Sequence, residues 1–128
     1  MVSKIPIIPH RVRKVPRQFS WVDHRLVREG HIEHCSHPAA ALYLFLVTVG
    51  DAKGMSYYAD ASILRRLSMD PSTLRQAREN LVHLSLIAWK KPLYQVLSLG
   101  EEKVTEAAPL PQPLSLKQVL EKTLGGAP

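Results

Sequence analysis

The feature that most constrains the fold is an almost uninterrupted apolar run between residues 38 and 49. Thr48 is its only clearly polar member. Pro38 suits a first helical turn and Gly50 suits the end of a helix, so the run predicts a helix. Because such a helix has no polar face, it must be covered on both sides. One side must pack on its own domain, and the other on the segment around Trp21, on the C-terminal tail or on a second chain.

The length and the motifs exclude several classes of protein. A chain of 128 residues allows one ordinary domain with tails, and it is too short for a barrel or doubly wound enzyme. It contains no Gly-rich phosphate loop, H-E-x-x-H motif or nucleophile elbow. We therefore expect no enzyme and no cofactor. The longest apolar run is about half of the roughly 20 residues that a bilayer span needs, so we expect no membrane segment.

The N-terminal start and the cysteine content point to a cytoplasmic protein. Prolines and arginines follow the first residues in place of an apolar stretch, so we expect no secretory signal. The single cysteine, Cys35, fits a reducing cytosol.

A helix pair joined by a short connection follows the apolar run. Asp60 is predicted to cap a brief helix, which three residues, Ser68 to Asp70, then interrupt. Asp70 caps again, Pro71 takes the first helical position, and the second helix extends to about Ser85. The positions predicted to face inward follow helical spacing: Leu74, Ala77 or Arg78, Leu81 and Leu84.

Short β-prone runs flank this helix pair. Residues 55–58 form one such run, after a turn at residues 51–54. Residues 86–90 and 93–97 form two more, and Lys91-Pro92 between them predicts a hairpin.

The segment from Ser20 to Gly30 is predicted to be a short helix. Ser20 and Asp23 have the spacing of a capping box, Leu26 is among the apolar positions, and Gly30 suits the stop. The run is brief, so a strand is the alternative.

Positive charge is concentrated in two regions. Residues 1–19 carry five bases and no acid, and residues 61–99 carry six bases and two acids, within a total of +6. Clustered positive charge is typical of proteins that bind a polyanion, although it also occurs on basic proteins that only need to stay soluble.

Residues 38–97 resemble a winged helix-turn-helix domain. The resemblance is carried by residues 57–87, where a helix and a loop precede the "Ser-Thr-aliphatic-Arg" sequence that ends at Arg75, and a Leu-Ile pair then opens the wing. Bacterial transcription regulators and the initiator proteins of plasmid and phage replication share this pattern. The resemblance implies a mainly α fold with a small β-wing. Ser85 departs from the pattern, which usually has glycine there, so either Ser85 adopts a positive φ at modest cost or the turn is remodelled.

This resemblance implies a binding site for double-stranded DNA. A recognition helix offers polar side chains near its N-terminal end while its other face holds the core. Ser72 and Thr73 are the candidates for a phosphate, and Arg75, Gln76 and Glu79 are the candidates for base edges. The bases expected to flank the duplex and neutralise phosphates are Arg65, Arg66, Lys90 and Lys91. The arm residues expected to enter a minor groove or follow the backbone are Arg11, Arg13, Lys14 and Arg17.

The predicted organisation has four parts. Residues 1–19 form a basic, proline-rich arm, residues 20–99 the winged helix-turn-helix domain, residues 100–113 a linker, and residues 114–128 an amphipathic helix with a tail. The leucine face of this last helix could dock back on the apolar helix, pair with a second copy, or bind another protein.

Two functions remain open at this stage. The first is a bacterial DNA-binding protein, located at the nucleoid, that acts in transcription or in the replication or transposition of a mobile element. Because the apolar helix suggests a homodimer, such a protein would read two half-sites. The second is an adaptor that uses the same fold to bind a protein.

The histidine-rich stretch offers a weak alternative of a different kind. It contains His24, His31, His34, Cys35 and His37. Zinc sites usually combine two close pairs of ligands across a longer loop, and this stretch lacks a second pair, so we expect no metal and a buried Cys35.

Overall fold

The computed structural model describes residues 4–101, which contain four α-helices and a small antiparallel sheet. The helices are α1 Arg25–Arg28, α2 His37–Val49, α3 Asp60–Leu67 and α4 Pro71–His83. The strands are β1 Met55–Tyr57, β2 Ile87–Lys90 and β3 Leu93–Val96, and two short 3-10 turns lie at Pro9–Arg11 and His31–His34. The expected mixture of helices with a small β element is therefore present.

The sheet has β3 at its centre, with β1 and β2 on either side, both antiparallel to it. Tyr94 pairs with Ser56 of β1 and with Trp89 of β2, so these three side chains share one face. Tyr94 is fully buried, which identifies this face as the inner one. The predicted hairpin between β2 and β3 is confirmed.

Helix α2 begins at Ser36 and buries one face. The N–H of Ala39 donates to Ser36 Oγ at 3.1 Å, so Ser36 is the N-cap. Its inner face packs on α4. On the outer side, the Ser20 hydroxyl donates to the carbonyl of Thr48 at 3.3 Å. The segment before α1 therefore lies against the end of α2, whereas Leu44 remains 62% exposed.

The core lies between α2, α3, α4 and the inner face of the sheet. Its largest fully buried side chains are Leu42, Leu46, Ile63, Leu74, Leu81, Leu86, Ile87 and Tyr94. The inward positions predicted for α4 are confirmed at Leu74 and Leu81, and both Ala77 and Arg78 are buried. The helix ends at His83 rather than Ser85. Ser85 has φ 60°, so of the two alternatives for this position the structure shows the positive φ.

Helix α1 is shorter than predicted. It begins at Arg25 rather than near Ser20, because the Ser20 hydroxyl is bonded to α2 instead of capping its own segment. Asp23 takes over at the start: its Oδ1 accepts the N–H of Arg25 at 2.8 Å, and its Oδ2 lies 2.7 Å from Arg25 Nη2. Hydrogen bonds from the Arg25 side chain and backbone lower the pKa of Asp23.

The two acids that begin α3 and α4 behave differently. Asp70 caps α4 as predicted, since its Oδ1 accepts the N–H of Thr73 at 2.8 Å. Asp60 does not cap α3: the N-cap is Ala59, and Asp60 is the first helical residue. Its carboxylate binds Arg78 of α4 instead, at 2.9 Å. The pattern predicted the helix correctly and its cap wrongly.

A tight turn at residues 51–54 joins α2 to β1. Asp51 Oδ1 accepts the N–H groups of Lys53 at 2.8 Å and Met55 at 2.9 Å. Gly54 has φ +80°, and its carbonyl accepts the N–H of Val96 at 2.8 Å. A Cβ at position 54 would lie 2.7 Å from the carbonyl oxygen of Val96. Only glycine therefore fits this turn as it stands.

The described residues include no helix that is long and apolar enough to cross a membrane. Most of the predicted linker and all of the predicted C-terminal helix lie outside the described residues.

Candidate nucleic-acid interface

The outer face of α4 is a continuous polar stripe. Ser72, Arg75, Gln76 and Glu79 are all exposed, and their spacing of three and four residues places them on one side of the helix. Gln76 Nε2 donates to Ser72 Oγ at 3.4 Å. Because the opposite face of α4 is buried in the core, this stripe is held outward.

The start of α4 is already occupied by a carboxylate. Asp70 accepts the N–H of Thr73, and hydrogen bonds from Thr73 lower the pKa of Asp70. Thr73 itself is only partly exposed. Since one free N–H is used and a negative charge lies beside it, the Ser72 hydroxyl is the more accessible donor for a phosphate at this end.

Arg78 is buried on the flank of α4 that faces the hairpin. Its side chain is 8% exposed, and Nη1 donates to Asp60 Oδ1 at 2.9 Å and to the Tyr94 hydroxyl at 2.8 Å. Its Cζ lies 3.8 Å from the centroid of the Trp89 ring. One guanidinium therefore joins α4 to the start of α3, to β2 and to β3.

The pKa values in this cluster fit a permanently charged arginine and a neutral tyrosine. Burial alone would lower the pKa of Arg78, but the hydrogen bonds that Arg78 donates to Asp60 and Tyr94 outweigh burial and raise the pKa. Burial raises the pKa of Tyr94. The Tyr94 hydroxyl thus keeps its proton and accepts from the arginine, so neither Arg78 nor Tyr94 titrates near neutral pH.

Four further bases surround the helix pair. Arg65 and Arg66 lie in the last turn of α3, and Lys90 and Lys91 lie at the hairpin turn; all four are exposed. None of the four makes an ion pair within residues 4–101. The hairpin turn lies beside the start of α3, because the N–H of Tyr58 donates to the carbonyl of Pro92 at 3.1 Å. The bases therefore flank α3 at both of its ends.

The N-terminal arm is exposed along its described length. The arm residues predicted to contact DNA are all exposed: Arg11, Arg13, Lys14 and Arg17. Arg13 borders a shallow hollow beside α1, together with Leu26 and Val27. The structure thus places the arm next to α1.

Two anchoring residues were missed by sequence reasoning. Asn80 Oδ1 accepts the N–H of Ser36 at 2.7 Å, and its Nδ2 donates to the carbonyl of His34 at 3.2 Å, which ties α4 to the start of α2. Asp60 is the partner of Arg78. The signal for this pair was an arginine at an inward helical position, because a buried charge needs a partner of opposite sign.

Most of the histidine-rich stretch lies between α1 and α2 and contains the 3-10 turn His31–His34. Cys35 was predicted to be buried and is only partly buried; its Sγ lies 3.8 Å from the carbonyl of His31, and burial raises its pKa, which disfavours the thiolate. His31 Nε2 lies 3.5 Å from Glu29 Oε1. Within the part of the chain that the structure describes, no three His, Cys, Asp or Glu side chains are grouped to hold a metal ion.

Apart from Thr73, which is only partly exposed, the residues expected to contact DNA fall into three exposed groups, namely the α4 stripe, the bases around α3, and the arm. Comparisons with protein-family models, with curated proteins and with solved structures found no match to this chain.

Proposed function

We propose that this protein binds double-stranded DNA through a winged helix-turn-helix arrangement. In this proposal α3 and α4 are the helix pair, α4 is the recognition helix, and the β2–β3 hairpin is the wing. The observation that carries it is the polar stripe of α4, which the described chain leaves uncovered while the opposite face of α4 is buried. A recognition helix needs this division between its two faces.

The chemistry of the stripe suits base edges in a major groove. Arg75 can donate twice to guanine, and Gln76 can both donate to and accept from adenine. Glu79 can accept a hydrogen bond from cytosine. Its negative charge also disfavours contact with phosphate, which would help to fix the position of α4 along the duplex.

The surrounding bases supply the contacts that do not depend on sequence. Lys90 and Lys91 at the hairpin and Arg65 and Arg66 on α3 are exposed and free of acidic partners within residues 4–101. Each can neutralise a phosphate and release a counterion. The arm, with four bases between residues 11 and 17, would extend this contact along the backbone or into a minor groove.

The proposed biological setting is transcription control, or the replication or transposition of a mobile element in bacteria. Two copies would bind two half-sites, and the outer face of α2, where Leu44 is exposed, would form the contact between them.

The test is a binding titration against duplexes enriched from a random pool, with a scrambled duplex as the non-specific probe. We expect Arg75→Ala to weaken binding to the enriched duplex by about 1–3 kcal/mol and to change binding to the scrambled duplex far less. Lys91→Ala should weaken binding to both duplexes equally, and it should reduce the slope of log affinity against log salt concentration by about 1. Lys53→Ala is the matched control, because Lys53 is exposed on the turn at the other end of the sheet. Equal losses on both duplexes for Arg75→Ala would refute its base-reading role.

Salt separates this proposal from an adaptor that binds a protein through the same fold. Affinity that depends on phosphate contacts falls steeply with added salt, whereas an apolar contact responds weakly. The absence of any enriched duplex, or binding that is insensitive to salt, would favour the adaptor.

A further inference from the structure

A cleft of about 440 Å³ opens at the end of the sheet away from the hairpin turn. It lies between the second half of α2, the turn at residues 50–54, the end of β3 and the segment before α1. Phe19 and Trp21 stand at its border, 64% and 75% exposed, and Val47 and Leu99 lie further in. Exposed aromatic side chains around a concave apolar surface are typical of a binding site.

Three of the four charged residues that line this cleft are satisfied within the domain, and the fourth, Lys53, is exposed. Asp23 and Arg25 pair with one another, with the closest oxygen and nitrogen 2.7 Å apart. Asp51 accepts two backbone N–H groups of its own turn. The cleft therefore offers mainly apolar surface to an occupant, and a polyanion would find little to bind there.

The chain leaves the described domain from the wall of this cleft. Residues 97–99 line it, and the described part ends at residue 101. Beyond it, Leu116, Val119, Leu120 and Leu124 follow one another at helical spacings. A stretch of about ten residues is not stable as a helix by itself in water, so a helix here would need an apolar surface to support it.

The length of the connection permits the segment to return. Residues 102–113 can span up to about 40 Å when extended, and they start beside the cleft, which residues 97–99 line. A tether of this kind raises the local concentration of the segment to the millimolar range, which favours binding within one molecule over binding between two.

We propose that the cleft is the docking site of the chain's own segment Leu114–Leu124. The leucine and valine side chains of the segment contact Trp21, Val47 and Leu99, and its polar side chains face the solvent. The proposal does not depend on DNA binding, because the cleft lies at the other end of the sheet from the hairpin.

The test compares three full-length proteins by hydrogen exchange: the natural chain, Leu120→Glu and Gln118→Glu. The Gln118→Glu variant carries the same new charge at a position predicted to be polar, so it is the matched control. In Leu120→Glu, amides of residues 19–23 and 50–54 should exchange about tenfold or more faster than in the natural chain, because one buried leucine contact is lost. In Gln118→Glu they should exchange as slowly as in the natural chain. Amides in α4 should be unaffected.

A second variant tests the cleft itself without risk to the core. Trp21→Ala removes a side chain that is 75% exposed, and it should speed exchange in residues 114–124. Equal exchange in all four proteins would overturn the proposal. Protection that disappears on dilution, together with sedimentation as a dimer, would also overturn it and would assign the cleft to a second copy.

Discussion

The buried guanidinium of Arg78 gives the sharpest prediction for stability. Replacing it by alanine removes the hydrogen bonds to Asp60 and Tyr94 and the stacking on Trp89. Tyr94 is fully buried, so its hydroxyl would lose its donor, which costs about 1–3 kcal/mol. Loss of the cation–π contact adds about 0.5–2 kcal/mol. Asp60 is half exposed, so water can replace most of the hydrogen bonds that its carboxylate loses, and Asp60 adds little to the loss of stability.

The expected total for Arg78→Ala is the sum of these two losses, about 1.5–5 kcal/mol, and its upper part matches the roughly 3–5 kcal/mol typical of removing one partner of a buried pair. For a domain of this size the melting temperature should fall by at least about 6 °C. Urea denaturation followed by circular dichroism measures the change directly. Arg75→Ala is the control: it lies one turn away on the same helix, is exposed, and should change stability by less than about 0.5 kcal/mol.

A double-mutant cycle tests the assigned cause. Tyr94→Phe alone should cost about 1–2 kcal/mol, because Arg78 loses one acceptor. In the Arg78→Ala background the same change should be neutral or stabilising, because it removes the hydroxyl that has no donor. Strictly additive losses, or a cost below about 1 kcal/mol for Arg78→Ala, would refute this account of the cluster.

Three further outcomes are expected. Hydrogen bonds from Thr73 lower the pKa of Asp70 in the folded protein below its ordinary value of 3.8. The Asp70 carboxylate therefore stabilises the fold fully above pH 3.8, and this stabilisation is lost as the pH falls through the lower folded pKa. In Asp70→Asn the urea midpoint should accordingly depend less on pH on the acid side. Ser85→Gly should stabilise by about 1 kcal/mol in chemical denaturation, because Ser85 has φ 60°, whereas Ser98→Gly should not. Asn80→Ala should cost about 1–2 kcal/mol and speed amide exchange at the start of α2; normal exchange there would contradict its anchoring role.

Local chemistry explains which elements could be predicted. The start of α4 is specified by Asp70 and Pro71, and its buried face by leucines at helical spacing, all within one short window. The hairpin is specified in the same way by two β-prone runs around Lys91-Pro92. The exposure of Arg75, Gln76 and Glu79 follows from the same spacing.

The features that sequence reasoning missed depend on partners far along the chain. Asp60 has the residue type of a cap, but Arg78, eighteen positions later, supplies a stronger partner for its carboxylate. The Ser20 hydroxyl is likewise bonded to Thr48, twenty-eight positions away, and α1 therefore starts late. Only the packed structure brings these groups together, so a local sequence pattern could predict neither the cap of α3 nor the start of α1.

The turn at Gly54 has a consequence for how this sequence can vary. The missing Cβ leaves just enough room for the backbone of β3, and the positive φ excludes most side chains independently. A saturation library at position 54 should return glycine alone, while the exposed Ala52 and Lys53 beside it should accept most residues. Lineages that diverge freely around this corner are thus expected to keep one invariant position in it.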